Sequence, residues 1–232
     1  MDAGQSAQSR GRHRILIVDD HPLVRAGIKA LIDDEPDLLV CGETGSIHDT
    51  LGLVRDDTPD IVIVDLSLPD GNGLELVKRL AGAPGLVGIL VCSMHEESLF
   101  AQRALAAGAK GYLDKHAAAT QVVGAIRVIL SGRIYLSERM TELMLERLSA
   151  KHPPLAGAAS VHDLSDRELE VFCLLGQCLS ASQIAARLHL SVKTVEAHRA
   201  KIKRKLNLAS GAELTRCAVQ WALEAGQEDR RE

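Results

Sequence analysis

Five short runs of β-forming residues recur at regular intervals in the first half of this chain, each followed by an amphipathic stretch. They are "RILIV" (14–18), "DLLVCGE" (37–43), "IVIV" (61–64), "LVGILVCS" (86–93) and "KGYL" (110–113). Between them, "HPLVRAGIKALIDD" places Leu23, Ile28, Leu31 and Ile32 on one helical face. "GLELVKRLAG", "SLFAQRALAAGA" and "AATQVVGAIRVILSG" show the same periodicity. Short, wholly apolar strands alternating with helices predict a parallel sheet covered on both sides. The expected architecture is a doubly wound, five-stranded α/β domain.

The pattern changes after residue 131. "SERMTELMLERLSA" predicts one more helix, and "KHPPLAGAAS" (151–160) has the Pro, Ala and Gly content of an exposed linker. Four helices follow. "LSDRELEVFCLLGQ" opens with a capping box from Ser165 to Glu168, and "SASQIAARLHL" is short. "SVKTVEAHRAKIKRKLN" has Ser191 as N-cap, and "SGAELTRCAVQWALEAG" opens with a second capping box, Ser210 to Glu213, and stops at Gly226. The expected organisation is a disordered tail at 1–12, an α/β domain at 13–131 and a connecting helix and linker at 132–161. A small all-α domain at 162–226 and a tail at 227–232 complete it.

Composition excludes several classes. No apolar run reaches the ~20 residues of a membrane span. The polar start carries no apolar signal core, so a cytoplasmic location is expected. Five scattered cysteines with no CxxC pair argue against a metal knuckle or a disulfide framework. Charge is uneven. Residues 1–135 hold 18 acidic against 13 basic side chains, whereas Val192–Leu206 holds six basic against one acidic. A basic stripe on an otherwise acidic chain predicts an anionic partner for that stripe.

The strand exits carry the chemistry. The first strand ends in Asp19 and Asp20, the third in Asp65 and the fourth in Ser93, and Lys115 follows the fifth. Open parallel sheets bind ligands beyond the carboxyl ends of their strands. Three converging carboxylates repel one another unless a cation joins them, and hard oxygen donors suit Mg²⁺. A carboxylate beside that ion can attack a phosphoryl group while a lysine neutralises the developing charge.

The stretches "ILIVDDHPLVRAGIKALI", "IVIVDLSLPDGNGLELV", "VCSMHEE" and "AGAKGYLDK" resemble the receiver domain of bacterial two-component response regulators, over residues 13 to 131. The resemblance implies a flavodoxin-like fold with Asp65 as phosphoacceptor. It further implies Mg²⁺ held by Asp19, Asp20, Asp65 and the Ser67 backbone carbonyl. Ser93 matches the switch hydroxyl, Lys115 the phosphate-binding lysine and Tyr112 the aromatic that turns inward. The backbone of Leu66 and Met94 completes the implied phosphate site. Ser67 and His95 match positions that influence acyl-phosphate lifetime.

On a helical wheel, Val192, Val195, Ile202 and Leu206 share a packing side, while Lys193, Ala197, Ala200, Lys201 and Arg204 face outward with Glu196 at the edge. Lysines there can meet phosphates, and alanines allow close approach to base edges. The helix-turn-helix spacing of "SASQIAARLHLSVKTVEAHRAKI" seats its second helix in a major groove. Residues 162 to 226 resemble the LuxR-type helix-turn-helix domain, and the whole chain resembles NarL/FixJ-type response regulators. The implied DNA contacts are Lys193, Thr194, Glu196, Ala197, Ala200, Lys201, Arg204 and Lys205, with the Ser210–Leu223 helix as dimer contact. The implied partners are a sensor histidine kinase, double-stranded DNA, a second copy when phosphorylated or DNA-bound, and RNA polymerase. One position departs from the family: Cys178 stands where glycine usually ends the first helix of this domain.

An enzymatic reading fails on pattern. A haloacid-dehalogenase-type phosphatase needs a second acid two residues past its nucleophile, where this chain has Ser67. "DDHPLVRAG" also lacks the GxGxxG of a dinucleotide site. The chain is expected to be a regulator and not an enzyme.

Overall fold

A computed structural model describes residues 11–149 and 161–228. Most of the expected N-terminal tail, the whole 151–160 linker and the last four positions lie outside the described residues. The chain divides into two compact units, Met1–Ser149 and Ala150–Glu232.

In the first unit the sheet strands are β1 (His13–Val18), β2 (Leu38–Thr44), β3 (Ile61–Val64), β4 (Gly88–Ser93) and β5 (Gly111–Asp114). All neighbours pair in parallel, in the order β2-β1-β3-β4-β5. The helices are α1 (Pro22–Asp33), α2 (Ile47–Asp56), α3 (Gly73–Leu80), α4 (Glu97–Ala107), α5 (Ala118–Leu130) and α6 (Glu138–Ser149). Side chains alternate across the sheet. Ile15, Ile17, Ile61, Ile63, Leu90 and Cys92 pack on Ile28 and Ile32 of α1 and on Val122, Ile126 and Ile129 of α5. Every residue of β3 and β4 is buried, as a central parallel strand requires. Burial pushes the Cys92 thiol up to about 12, so this cysteine behaves as a small apolar residue.

Three local features differ from the periodic reading. Leu23 is 89% exposed, because the first turn of α1 has no neighbour to cover that position. Helix α2 escapes the pattern, since polar residues and Gly52 dilute its apolar stripe; Ser46 caps it by accepting from the Asp49 N–H. A two-residue hairpin, Ser67–Leu68 with Gly71–Asn72, follows β3. Gly73 closes that hairpin against the strand exit: a Cβ there would lie 2.2 Å from the Asp65 carbonyl oxygen.

The second unit contains α7 (Asp166–Gly176), α8 (Ala181–Arg187), α9 (Val192–Lys205) and α10 (Gly211–Glu228). Both halves of the Ser165–Glu168 capping box are present, and α8 has an equivalent box from Ser180 to Gln183. At α10 the Glu213 carboxylate instead reaches back to the Ala209 N–H, at 2.8 Å. Phe172 and Trp221 tie α7 to α10, with ring centroids 6.0 Å apart.

Helices α7, α8 and α9 each end on a residue with positive φ that is not glycine: Cys178 (60°), His189 (52°) and Asn207 (53°). The following N–H in each case bonds five residues back, Leu179 to Leu174, Leu190 to Ala185 and Leu208 to Lys203. This is the Schellman closure, which favours glycine at the left-handed position. A Cβ at such a position costs roughly 1–2 kcal/mol. Cys178→Gly is therefore expected to raise the melting temperature of the C-terminal unit, measured by calorimetry; a lower value refutes the strain argument.

Candidate functional site

The sheet order reverses direction between β1 and β3, and the strand exits there bring the acidic residues together. Asp19 follows β1, Asp65 follows β3, and each carboxylate is almost fully buried, at 2% and 3% exposure. Lys115, directly after β5, places Nζ 2.7 Å from an oxygen of each. Asp20 lies beside them. Ligand atoms of Asp19, Asp20, Asp65 and His21 all fall within 4.8 Å of one another.

The electrostatics define what this pocket lacks. Burial, and then the like charge of Asp19, raise Asp65 above the ordinary carboxylate range despite the opposing pull of Lys115. Burial lowers Lys115, but the two carboxylates outweigh it and the ammonium is held more firmly than usual. Two buried anions thus share one cation, with Asp20 adjacent. Such a pocket is short of positive charge, and its oxygen donors fit a divalent metal. His21 was not foreseen from sequence. It is the N-cap of α1, and its Nδ1 lies 2.6 Å from Asp20 and 3.3 Å from Asp19.

Ser93 ends β4 with its side chain buried and accepts the His95 N–H at 3.3 Å. His95 Nε2 lies 3.1 Å from Ser67 Oγ, and its ring stacks on Phe100 with centroids 4.6 Å apart. Tyr112 is fully buried and donates its hydroxyl to the His95 carbonyl at 2.6 Å. The aromatic is therefore already inward. Leu66 is buried and Met94 exposed, each next to a pocket residue in the chain.

Asp70 is a second residue that the periodic reading passed over. Its carboxylate accepts from the N–H groups of Ile47 and His48 at 2.9 and 3.1 Å and from Ser46 Oγ at 2.9 Å. It anchors the hairpin after Asp65 to the N-terminus of α2.

In the second unit, α9 presents Lys193, Glu196, Ala197, Ala200, Lys201 and Arg204 to solvent, while Val195, Ile202 and Leu206 are buried. Thr194 is half-buried beside Ser191. Two assignments change. Val192, assigned to the packing side, is 45% exposed because it opens the helix before any neighbour covers it. Lys205, expected among the DNA contacts, bonds the Glu168 carboxylate at 2.7 Å and the Asp163 carbonyl at 3.1 Å. Arg167 likewise holds the buried Glu170 at 2.6 Å and the Leu188 carbonyl at 2.6 Å. On α10, Ala212, Thr215, Val219 and Leu223 lie along one open face of the helix.

A receiver pocket on a parallel sheet, joined in one chain to a helix-turn-helix unit, defines the two-component response regulators with a LuxR-type output domain. Residues 15–127 match the response regulator receiver domain family, and residues 162–218 match the bacterial regulatory proteins of the luxR family. The chain belongs to this family of DNA-binding transcription regulators. It is 34% identical to the response regulator UvrY of Escherichia coli over 209 residues, covering 90% of this chain and 94% of that one. It is 33% identical to the response regulator GacA of Pseudomonas aeruginosa, covering 89% and 95%. Among solved structures it resembles RcsB from Salmonella enterica serovar Typhimurium, bound to a promoter in the presence of the phosphomimetic BeF₃⁻. That match has a TM-score of 0.60 and 25% identity, and covers 90% of this chain and 98% of that one. Among the described residues no helix is long and apolar enough to cross a membrane.

The Glu168–Lys205 pair gives a pH-dependent prediction. Burial pushes Glu168 up, but Lys205 and the Ser165 backbone and side chain pull it below the usual carboxylate range overall. With a depressed folded value, the pair's stabilisation is present above the unfolded value and is lost as pH falls through the folded one. Lys205→Met should cost about 1 kcal/mol at neutral pH, a charged hydrogen bond discounted for the exposed lysine. Denaturant titrations should show that cost shrinking as the solution is acidified.

Proposed function

We propose that this protein is switched by phosphorylation of Asp65 and that the switch controls sequence-specific binding of α9 to DNA. The observation that carries the reading is Lys115 shared between the buried Asp19 and Asp65 at the carboxyl edge of the sheet. In this reading residues 13–131 form the receiver, 132–161 the connection and 162–226 the DNA-binding domain. Asp19, Asp20, Asp65 and the Ser67 carbonyl would hold Mg²⁺. Bound there, the ion supplies positive charge to the transferring phosphoryl group.

The phosphoryl donor is a sensor histidine kinase. A carboxylate oxygen of Asp65 attacks phosphorus, the bond to the kinase's histidine nitrogen breaks, and an acyl phosphate forms. Lys115 releases its hold on the Asp65 oxygen and meets the new phosphate oxygens. The N–H groups of Leu66 and Met94 and the Ser93 hydroxyl complete that cradle. Moving Ser93 disrupts its bond to His95, whose carbonyl anchors Tyr112. Converting a mostly inactive population into a mostly active one takes about 5.5 kcal/mol of differential stabilisation.

The outward face of α9 supplies the DNA contacts: Lys193, Thr194, Glu196, Ala197, Ala200, Lys201 and Arg204, with the exposed Val192 now among the candidates for a thymine methyl. Lys205 is better read as a brace. The open face of α10, with Leu223 exposed, supports a dimer contact through the Ser210–Leu223 helix. RcsB, seen with a promoter and BeF₃⁻, supports the link between phosphorylation and DNA. RNA polymerase as a further partner and a cytoplasmic location follow from the same reading.

Two experiments test it. Intact-mass measurement after incubation with a small acyl phosphate and Mg²⁺ should show one added phosphoryl group, absent in Asp65→Asn. An unmodified wild-type chain overturns the reading. Lys201→Ala should weaken binding to all DNA sequences alike and lower the slope of log affinity against log salt by about 1, while Ala197→Ser should alter sequence preference. Fluorescence anisotropy over a salt series measures both.

A further inference from the structure

The basic helix α9 holds one acidic side chain, Glu196. It lies on the outward face, one turn after Lys193 and one turn before Ala200, with Ala197 beside it, and all four residues are exposed. The alanines have nothing with which to hydrogen-bond a base. The N-terminal part of a recognition helix is the part that meets base edges. In that part of α9, Lys193 and Glu196 are the long polar side chains exposed to solvent. Lys201 and Arg204 lie further along, where phosphates are in reach.

Glu196 is held in place by its own helix. Arg199 Nη1 donates to Glu196 Oε1 at 2.7 Å. The guanidinium lies beside the start of α10, where a Cβ on Gly211 would be 3.7 Å from Arg199 Nη2. The Arg199 side chain is 23% exposed and that of Glu196 54%, so the cation is tucked in and the anion projects. Their bond uses Oε1 and leaves Oε2 to accept from outside the protein. An exposed pair three residues apart adds little to stability, so its effect here is on where the carboxylate points.

A carboxylate on this face is selective about what it meets. The phosphates flanking a groove repel it. So do most polar atoms on the floor of a major groove, since guanine N7 and O6, adenine N7 and thymine O4 are all acceptors. The donors there are the amino groups of cytosine and adenine. Adenine carries its amino group next to N7, a pair that an amide complements and a carboxylate does not. Cytosine N4 has no acceptor beside it on its own base edge. Arg199 offsets the phosphate repulsion without occupying the second oxygen.

We propose that Glu196 is a specificity-determining residue that reads a cytosine, its Oε2 accepting from the N4 amino group, and that Arg199 is the positioning residue that aims it. The small side chains of Ala197 and Ala200 let the helix approach closely enough for Glu196 to reach the base. Any other base at that place turns an acceptor toward the carboxylate and is rejected. The inference rests on the reading of α9 as the DNA-binding helix and adds to it the base read at one position of the site.

Selection of the full chain, with BeF₃⁻ and Mg²⁺, against a random pool of duplex DNA tests this, followed by fluorescence anisotropy on the selected duplex and its single-pair variants. The wild-type motif should contain a C·G pair whose replacement lowers affinity roughly tenfold, as loss of one good side-chain–base pairing does. In Glu196→Ala all four pairs at that position should bind alike, with the rest of the motif unchanged. Glu196→Gln should prefer adenine there, because an amide complements N6 and N7. Arg199→Met should flatten the preference at that position alone, and Arg199→Lys should keep it. A wild-type chain that selects no motif overturns the DNA-binding reading and this one together. A motif identical in wild type and Glu196→Ala overturns the role of Glu196 and leaves DNA binding standing. A responding position that holds a pair other than C·G, or a Glu196→Gln variant that does not turn to adenine, overturns the cytosine assignment. Full preference in Arg199→Met, or none in Arg199→Lys, overturns the positioning role.

Discussion

The sharing of one lysine between two buried carboxylates is the interaction on which the rest of this protein turns. Asp19 and Asp65 leave neighbouring parallel strands at the same edge, so the sheet itself forces them together. Neither can shed its charge into water. Lys115 neutralises part of that charge and leaves a deficit, which a divalent ion suits. A site built in this way responds to added charge because its own charges are unbalanced and desolvated.

The surrounding residues convert that imbalance into a mechanical question of which hydroxyl or carbonyl bonds to which partner. Ser93, His95 and Tyr112 form one connected set, with Phe100 stacked on the histidine ring. Asp70 and Gly73 fix the opposite wall by tying the hairpin after Asp65 to α2 and to the strand exit. Packed interiors tend to have discrete alternative arrangements and not a continuum, so under the proposed function a small change at Asp65 would be transmitted as a step. The second unit uses charge differently. Glu168 with Lys205 and Glu170 with Arg167 lock helices in place, and the basic residues left outward on α9 are those without such an internal partner among the described residues' bonds.

Much of this was legible in the residues alone. β3 and β4 announced themselves because fully buried parallel strands must be apolar on both faces. Asp19, Asp65, Ser93 and Lys115 could be placed together because strand exits in a parallel sheet share an edge. Cys178 could be marked as a left-handed position from the resemblance, since the family usually has glycine there, and its φ of 60° agrees. Helix α2 was not legible, since polar residues and Gly52 dilute its apolar stripe, and the Asp70 carboxylate that braces its start lies 23 residues from Ile47. Val192 was misassigned, and the Lys205 brace on Glu168 missed, for a related reason. A helical wheel says which residues share a side but not where that side stops being covered, or which lysine finds a carboxylate on another helix.

The order of β-formers, helices, caps and strand-terminal acids determined by itself the class of fold and the shared edge of Asp19, Asp65, Ser93 and Lys115, because these depend on local periodicity and on the geometry common to all parallel sheets, while the family came from the resemblance of whole motifs. Only the tertiary structure decided that Tyr112 lies inward on the His95 carbonyl and that Lys205 braces Glu168. Those are pairings between side chains far apart in the chain, and no local pattern encodes a partner whose position is set by how whole elements pack.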